Sequence, residues 1–386
     1  MQRIKKGHEL MGKIKTCAVI GPGGQGGSWA SRLYAKKDEC NLVAVCDIDE
    51  KRAKSVAEKC GNCNVYTDIN DLIKGEKLDF VVIATPHYLH APFTILCAEN
   101  DINVLCEKPM AINLQQADQM IIAARKNAIK LGFGFQHRFN RHHEYMYAAA
   151  RGARGQLGDL GRITDFTLVA RHFRTGMYYL TSSRVDPSTG VSAGQWRGRW
   201  ETEGAGILIN QAVHDIDFFQ WIVGPIKSLS AHAATIARDH ALIEVEDTVA
   251  VSFTAQSGAV GTMMFSTANK IAPDNFYRVQ GENGYVELRG EFVTADTRYK
   301  SEEDWEVPFE KQPRHDLLEN FIDAIDNDTD PMVPGEEARK SLEVIRAILK
   351  SVQEERAVNF PVRDTIAYPT MHNISRDQPL KPEDLV

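Results

Sequence analysis

A short apolar run, Lys15-Thr-Cys-Ala-Val-Ile20, leads without a break into Gly21-Pro-Gly-Gly-Gln-Gly-Gly27 and then into a helical pattern. A glycine-dense bend between strand and helix restricts the fold more than any other stretch, because it forces a tight turn and close helix-to-strand packing. The rhythm then repeats: NLVAVCD, a charged helix, DFVVIAT, another helix and INVLCEKP follow before about Gly134. Strands alternating with helices of this length require right-handed crossovers, and so a parallel sheet covered on both faces. After the strand-like GFGFQHRF the alternation stops. GRITDFTLVAR, DTVAVSFTAQSGAVGTMMFS and YRVQGENGYVELRG read as strands joined by Ser-Gly and Asn-Gly hairpin turns, the pattern of a large open, mainly antiparallel sheet. Helical patterns cover about Leu208 to Ile222, Leu317 to Asp326 and Glu336 to Glu355. The chain has 386 residues, long for one core, so two domains are expected: a doubly wound α/β domain over 13–135 and an α+β domain over 136–386.

Composition narrows the partners. A net charge of -7 gives no general attraction to nucleic acid or anionic lipid. No run reaches the ~18 apolar residues of a membrane span, and the basic start MQRIKKGHELMGKIK is followed by no apolar stretch of signal-peptide length. Seven cysteines, all between Cys17 and Cys106, do not form a secreted disulfide framework, and a cytoplasmic protein is expected. Cys60 and Cys63 form one CxxC with no second pair and no nearby histidine, so no metal is expected there.

Gly21, Gly23 and Gly26 stand in the Gly-x-Gly-x-x-Gly register, with Gly24 and Gln25 between them. Asp47 ends the next strand 21 residues after Gly26, where a carboxylate accepts from an adenosine ribose. The pair predicts a Rossmann domain that binds NAD; Asp47 disfavours a 2'-phosphate, while Lys51 and Arg52 leave use of NADP open. Ligands of such sheets sit beyond the carboxyl ends of the strands. Thr85-Pro86-His87, with His90 close behind, and Glu107-Lys108-Pro109 occupy those ends.

The glycine loop, Thr85-Pro86 with His90, Glu107-Lys108-Pro109 and GAGILINQAVHDID together resemble the Gfo/Idh/MocA oxidoreductase family over nearly the whole chain, from about residue 14 to about residue 362. The resemblance implies a C-terminal sheet that walls the active site and often mediates a homo-oligomer, and it implies that Lys108 meets nicotinamide and substrate hydroxyl. The family's second element resembles Gly-Gly-Gly-x-x-x-Asp-x-Gly-x-His-x-x-Asp; this chain has Asn210 for the first aspartate and Ala212 for a glycine. On one helix Asn210, His214 and Asp217 would share a face. Oxidising a secondary carbinol requires a base for the hydroxyl proton, for which His214 is the candidate. Lys108 would stabilise the oxygen's developing charge, and Asn210, which cannot titrate, would orient substrate. Asp217 is either an orienting group or a salt-bridge partner.

Tyr178-Tyr179 to Trp196-Arg-Gly-Arg-Trp200 is similar to a subgroup of pyranoside dehydrogenases that includes levoglucosan dehydrogenase. Aromatic faces suit sugar rings. Five arginines between Arg171 and Arg199 suit a carboxylate, sulfonate or phosphate, or else pair with this protein's own acids. Trp196, Arg197 and Arg199 are the substrate candidates of this loop; Arg138 is either a further contact or an interdomain pairing group. The function expected is NAD-dependent oxidation of a sugar, glycoside or cyclic polyol. The alternatives are an NAD-dependent redox-neutral glycosidase, for example on sulfoquinovosides, and a non-catalytic NAD-binding regulator.

Overall fold

A computed structural model describes residues 13–151, 160–180, 183–185, 192–237, 243–270, 274–290, 292–296, 316–362, 369 and 371. The basic N-terminal stretch before residue 13 and part of the arginine-rich loop lie outside them. The first sheet contains β1 (Lys15–Ile20), β2 (Cys40–Cys46), β3 (Asn64–Tyr66), β4 (Phe80–Ile83), β5 (Asn103–Cys106) and β6 (Leu131–Phe133). Its order is β3-β2-β1-β4-β5-β6 with every pair parallel. Helices α1 (Gly24–Ala35), α2 (Glu50–Lys59), α3 (Ile69–Gly75), α4 (His90–Ala98) and α5 (Leu114–Lys126) make the crossovers. Since both faces are covered, all four residues of β4 are buried. The strand order reverses between β1 and β4, which opens a ligand crevice at their carboxyl ends.

From α6 (Arg141–Arg151) the chain enters β7 (Ile163–Arg171), α7 (Gly176–Leu180), a small hairpin of β8 (Ser183–Val185) and β9 (Ser192–Gln195), then α8 (Ile207–Asn210) and α9 (Ala212–Val223). The second sheet follows with β10 (Ile226–Ala234), β11 (Thr248–Ala255), β12 (Val260–Ser266), β13 (Asn275–Gly281), β14 (Gly284–Arg289) and β15 (Phe292–Asp296). Helices α10 (Leu317–Asp326) and α11 (Gly335–Glu354) precede β16 (Val358–Asn359). The eight strands run β15-β14-β13-β7-β12-β11-β10-β16; β7 and β12 pair parallel, the other neighbours antiparallel. Burial alternates along β11, as period-2 patterning requires. Phe219 of α9 packs between Phe166 of β7 and Phe253 of β11, with ring centroids 5.1 and 4.6 Å apart. This side of the sheet is the core, and it fixes α9 in place.

One helix packs away from its stretch of chain, and another is broken. Helix α10, assigned by position to 136–386, packs with the first domain: Leu317, Leu318, Phe321 and Ile322 join Cys17, Phe80 and Leu105 in one buried cluster. Lys15 and Asp326, and Lys36 and Glu319, pair across the same contact. The split at 135/136 therefore divides the chain but not the packing. The helix expected over Leu208 to Ile222 is also broken: α8 stops at Asn210 and α9 restarts at Ala212, with Gln211 at φ -115°.

Candidate active site

At the end of β1, Gly21 adopts φ +82°, and a Cβ on Gly26 would lie 2.1 Å from the Gly21 carbonyl oxygen. Glycine at these two positions lets α1 begin against the strand. A Cβ on Gly23 or Gly24 would meet no atom within 4 Å, and no side chain caps α1. Open space thus stands before uncapped helix N–H groups, the arrangement a diphosphate fits. The buried Thr85 hydroxyl beside this loop has no partner among the described residues. Asp47 is buried at the end of β2, where Arg52 holds it through two bonds of 2.7 Å and the Asp49 N–H donates to it. Glu107 accepts from Trp29 Nε1 at 2.7 Å and Gln25 Nε2 at 3.2 Å, so it ties the glycine loop to β5. All three line a cavity of about 440 Å3 with Gly134 and His137.

His90, expected to contact the cofactor, is sealed instead: Nδ1 meets the Pro109 carbonyl at 2.7 Å and Nε2 the Thr85 carbonyl at 2.9 Å. Both ring nitrogens are occupied by backbone. His90 therefore staples the segments after β4 and β5, holding Pro86 and the cis Lys108–Pro109 bond in their places.

Lys108 reaches across to the second domain, its Nζ donating to the Asn210 backbone carbonyl at 2.6 Å. That carbonyl ends α8, so the ammonium satisfies a helix-terminal acceptor. Burial lowers the Lys108 pKa, and Arg197 and Arg174 lower it further against the pull of Glu107 and Glu203. Gly206 lets α8 start against the segment that leads into β11: a Cβ there would sit 1.8 Å from the Glu246 carbonyl oxygen. The Glu246 side chain accepts from the Gly206 and Leu208 N–H groups and anchors that start. His214 lies in the first turn of α9, buried, with Nδ1 unpartnered among the described residues. Burial holds its pKa well below the ordinary value, with Lys108 and His137 adding to the effect, so the imidazole is neutral. Its ring stands 5.1 Å from that of His137, which stacks at 4.3 Å on His143. Orphaned buried nitrogens are costly unless a ligand or water completes them.

The Asn210 amide is held on both sides. Its Nδ2 donates to Glu203 Oε1 at 2.5 Å, and its Oδ1 accepts from Tyr178 at 2.8 Å and Gln211 at 3.1 Å. Arg197 lies over the Tyr178 and Trp196 rings at 4.3 and 4.7 Å, and Arg174 over Tyr178 at 5.3 Å. Trp196 packs edge-on against His87 of the first domain, centroids 4.9 Å apart.

Residues 15–135 match the GFO_IDH_MocA oxidoreductase family with its NAD-binding Rossmann fold, and residues 153–287 match a GFO/IDH/MocA C-terminal domain. The chain belongs to the Gfo/Idh/MocA family. Inositol 2-dehydrogenase of Rubrobacter xylanophilus is 29% identical over 272 residues, 70% of each chain. The WlbA dehydrogenase of Chromobacterium violaceum, solved with NADH and UDP-GlcNAcA, superposes with a TM-score of 0.79 at 28% identity, covering 94% of this chain and all (100%) of that one. Levoglucosan dehydrogenase, with NADH and levoglucosan, shares the fold at a TM-score of 0.75 and 20% identity, covering 91% and 100%. The first domain of this Gfo/Idh/MocA protein thus binds NAD, and its relatives are sugar and polyol dehydrogenases.

Against that family frame, several sequence-named residues fall away from the cleft. Arg138 is buried and donates twice to Asp217, both at 2.8 Å, and once to Glu337. It pairs with Asp217 as a salt bridge, the pairing alternative of the two. Arg199 pairs with Glu244 at 2.6 Å on the surface. The sequence did not single out Tyr178 as a partner of Asn210, nor Glu203. Only a buried carboxyl's neighbours reveal it; in sequence Glu203 is one acid among many. Among the described residues no cluster of His, Cys, Asp or Glu suits a metal, and no helix is long and apolar enough to cross a membrane. The seven cysteines are free.

Proposed function

We propose that this protein oxidises a secondary hydroxyl of a pyranose sugar or glycoside that bears an anionic group, using NAD. The observation that carries the reading is the meeting of Lys108 with the α8–α9 junction, which brings the Asn210 and His214 segment of one domain onto the cofactor-side loop of the other. The cations Lys108, Arg174 and Arg197 gather there in a chain of net charge -7. An anionic sugar would be drawn to such a site, and the WlbA neighbour was solved with the uronic-acid nucleotide UDP-GlcNAcA.

NAD supplies the hydride acceptor. Lys108 holds the reacting oxygen and stabilises its negative charge, released from the Asn210 carbonyl by the incoming hydroxyl. His214, neutral and unpartnered at Nδ1, takes the hydroxyl proton as the hydride leaves the same carbon. Asn210 orients the hydroxyl, while Trp196 and Tyr178 offer ring faces and Arg197 and Arg174 the anion's counter-charges. The test is a panel of neutral and anionic sugars, free and as glycosides, followed for both NADH and aglycone release. NADH accumulating in proportion to substrate, fastest with an anionic sugar, is expected. Aglycone release without net NADH would establish the redox-neutral glycosidase, and faster oxidation of neutral inositols would remove the anionic requirement.

A further inference from the structure

The departure at position 210 has a counterpart elsewhere in the chain. Glu203 is fully buried, and its two carboxyl oxygens face two N–H donors, the Asn210 amide at Oε1 and the Gly198 backbone at Oε2. Its own backbone is pinned as well, its N–H on the Arg199 carbonyl at 2.9 Å and its carbonyl on His87 Nδ1 at 3.1 Å. The carboxyl therefore cannot swing away without leaving buried donors empty. With Nδ2 committed to Glu203, the Asn210 oxygen must point the other way, to Tyr178 and Gln211.

We propose that Glu203 is a positioning residue which supplies, one hydrogen bond further back, the carboxyl that the family motif places at position 210. Residues 203 and 210 thus form a carboxyl–amide pair, whose function is to fix the Asn210 amide with its oxygen on Tyr178 and Gln211, and so to hold the Tyr178 ring and the α8–α9 junction in place beside Lys108. The inference rests on the proposed dehydrogenase reading. The same geometry dictates what exchange would do. A glutamine at 203 must keep its oxygen on the Gly198 N–H, which turns its NH2 against the Asn210 NH2 and forces that amide to flip. An aspartate at 210 opposite Glu203 sets two carboxyls in contact, which must share a proton. Both changes together restore one donor and one acceptor at each contact.

The experiment is a cycle of Glu203→Gln, Asn210→Asp and the double variant, read by melting temperature, NAD affinity, and kcat and KM on the best substrate of the sugar panel. Each single change should lower kcat about tenfold or more, the order expected for a buried polar group left mismatched, with NAD affinity unchanged. The double variant should regain most of both kcat and melting temperature. Additive losses in melting temperature would overturn the pairing, and they can be read even if no sugar is oxidised. Coupled melting temperatures with a kcat that ignores Glu203→Gln would leave the pair structural and overturn the positioning role. Should Glu203→Gln fail to fold, a folded double variant more active than Asn210→Asp alone supports the proposal, and an equally impaired one rejects it. Absence of turnover by the wild-type protein would instead strike the dehydrogenase reading.

Discussion

We propose that one side chain, Asp47, serves two partners. Its carboxylate is held by Arg52, and a bound ribose would share it with that guanidinium. Replacing Asp47 with Ser removes the ribose acceptor and releases Arg52 for a 2'-phosphate. NAD affinity should fall by about tenfold or more, the worth of a charged hydrogen bond, and NADP affinity should rise; titrations with both cofactors decide it, and an unchanged ratio would mean that Asp47 acts elsewhere. Lys108 and His214 are expected to behave as one unit. Lys108→Met or His214→Ala should cut kcat by on the order of 100-fold or more with little change in NAD binding. The double change should cost far less than the product of the two. Near wild-type kcat in the His214 variant would move the base to another residue.

The position of His214 depends on the elements around it. Helix α9 is held at its middle by Asp217, whose partner Arg138 follows β6 and also reaches Glu337 at the start of α11. One guanidinium thereby joins the end of the first sheet to two helices of the second domain, and it keeps His214 in register with Lys108. Arg138→Met should leave Asp217 buried and unpaired at a cost of roughly 3–5 kcal/mol. Denaturant titration measures this, and Arg138→Met with Asp217→Leu should recover much of the loss, since an apolar pair has no stranded charge. A double variant as unstable as the single would show that the contact is steric. The break between α8 and α9 belongs to the same level: it frees the Asn210 carbonyl for Lys108, which an unbroken helix would have consumed.

The whole molecule contains many ionisable groups removed from water. Burial raises the carboxyls of Glu203 to about 8 and of Asp215 and Glu246 to about 7. The folded protein keeps those protons where the unfolded chain releases them, so their contribution is full at low pH and is lost as pH rises towards 8. Burial lowers His137 to about 4 and His143 to about 2, and lowers His87, His90, His172 and His214 also. Their contribution has the opposite sign, present above the ordinary value of 6.5 and lost as pH falls. Stability should therefore peak near pH 6.5, where the histidine limb ends and the carboxyl limb still descends. Denaturation across pH 5 to 9, on the order of the span these groups titrate over, checks it. His143→Phe should flatten the acid limb; a monotonic rise to pH 8 would contradict the balance.

The glycine loop, the place of Asp47 at the end of the next strand, the alternation of strands and helices and the hairpin turns were all legible in the chain. They are local signals, because a bend that admits only glycine and a period of 2 or 3.6 are written in neighbouring residues. The Gfo/Idh/MocA motifs likewise brought Lys108 and His214 forward. Tertiary packing decided the rest. Helix α10 joins the first domain because its apolar face fits that sheet, whichever side of residue 135 it lies on. His90, Arg138 and Arg199 have side chains able to bind ligands, but each is occupied by a partner distant in sequence, which spacing cannot reveal. Glu203 became visible only when folding enclosed it against Asn210, since a carboxyl gains chemical meaning from burial and from the donors it faces, and both come from the fold.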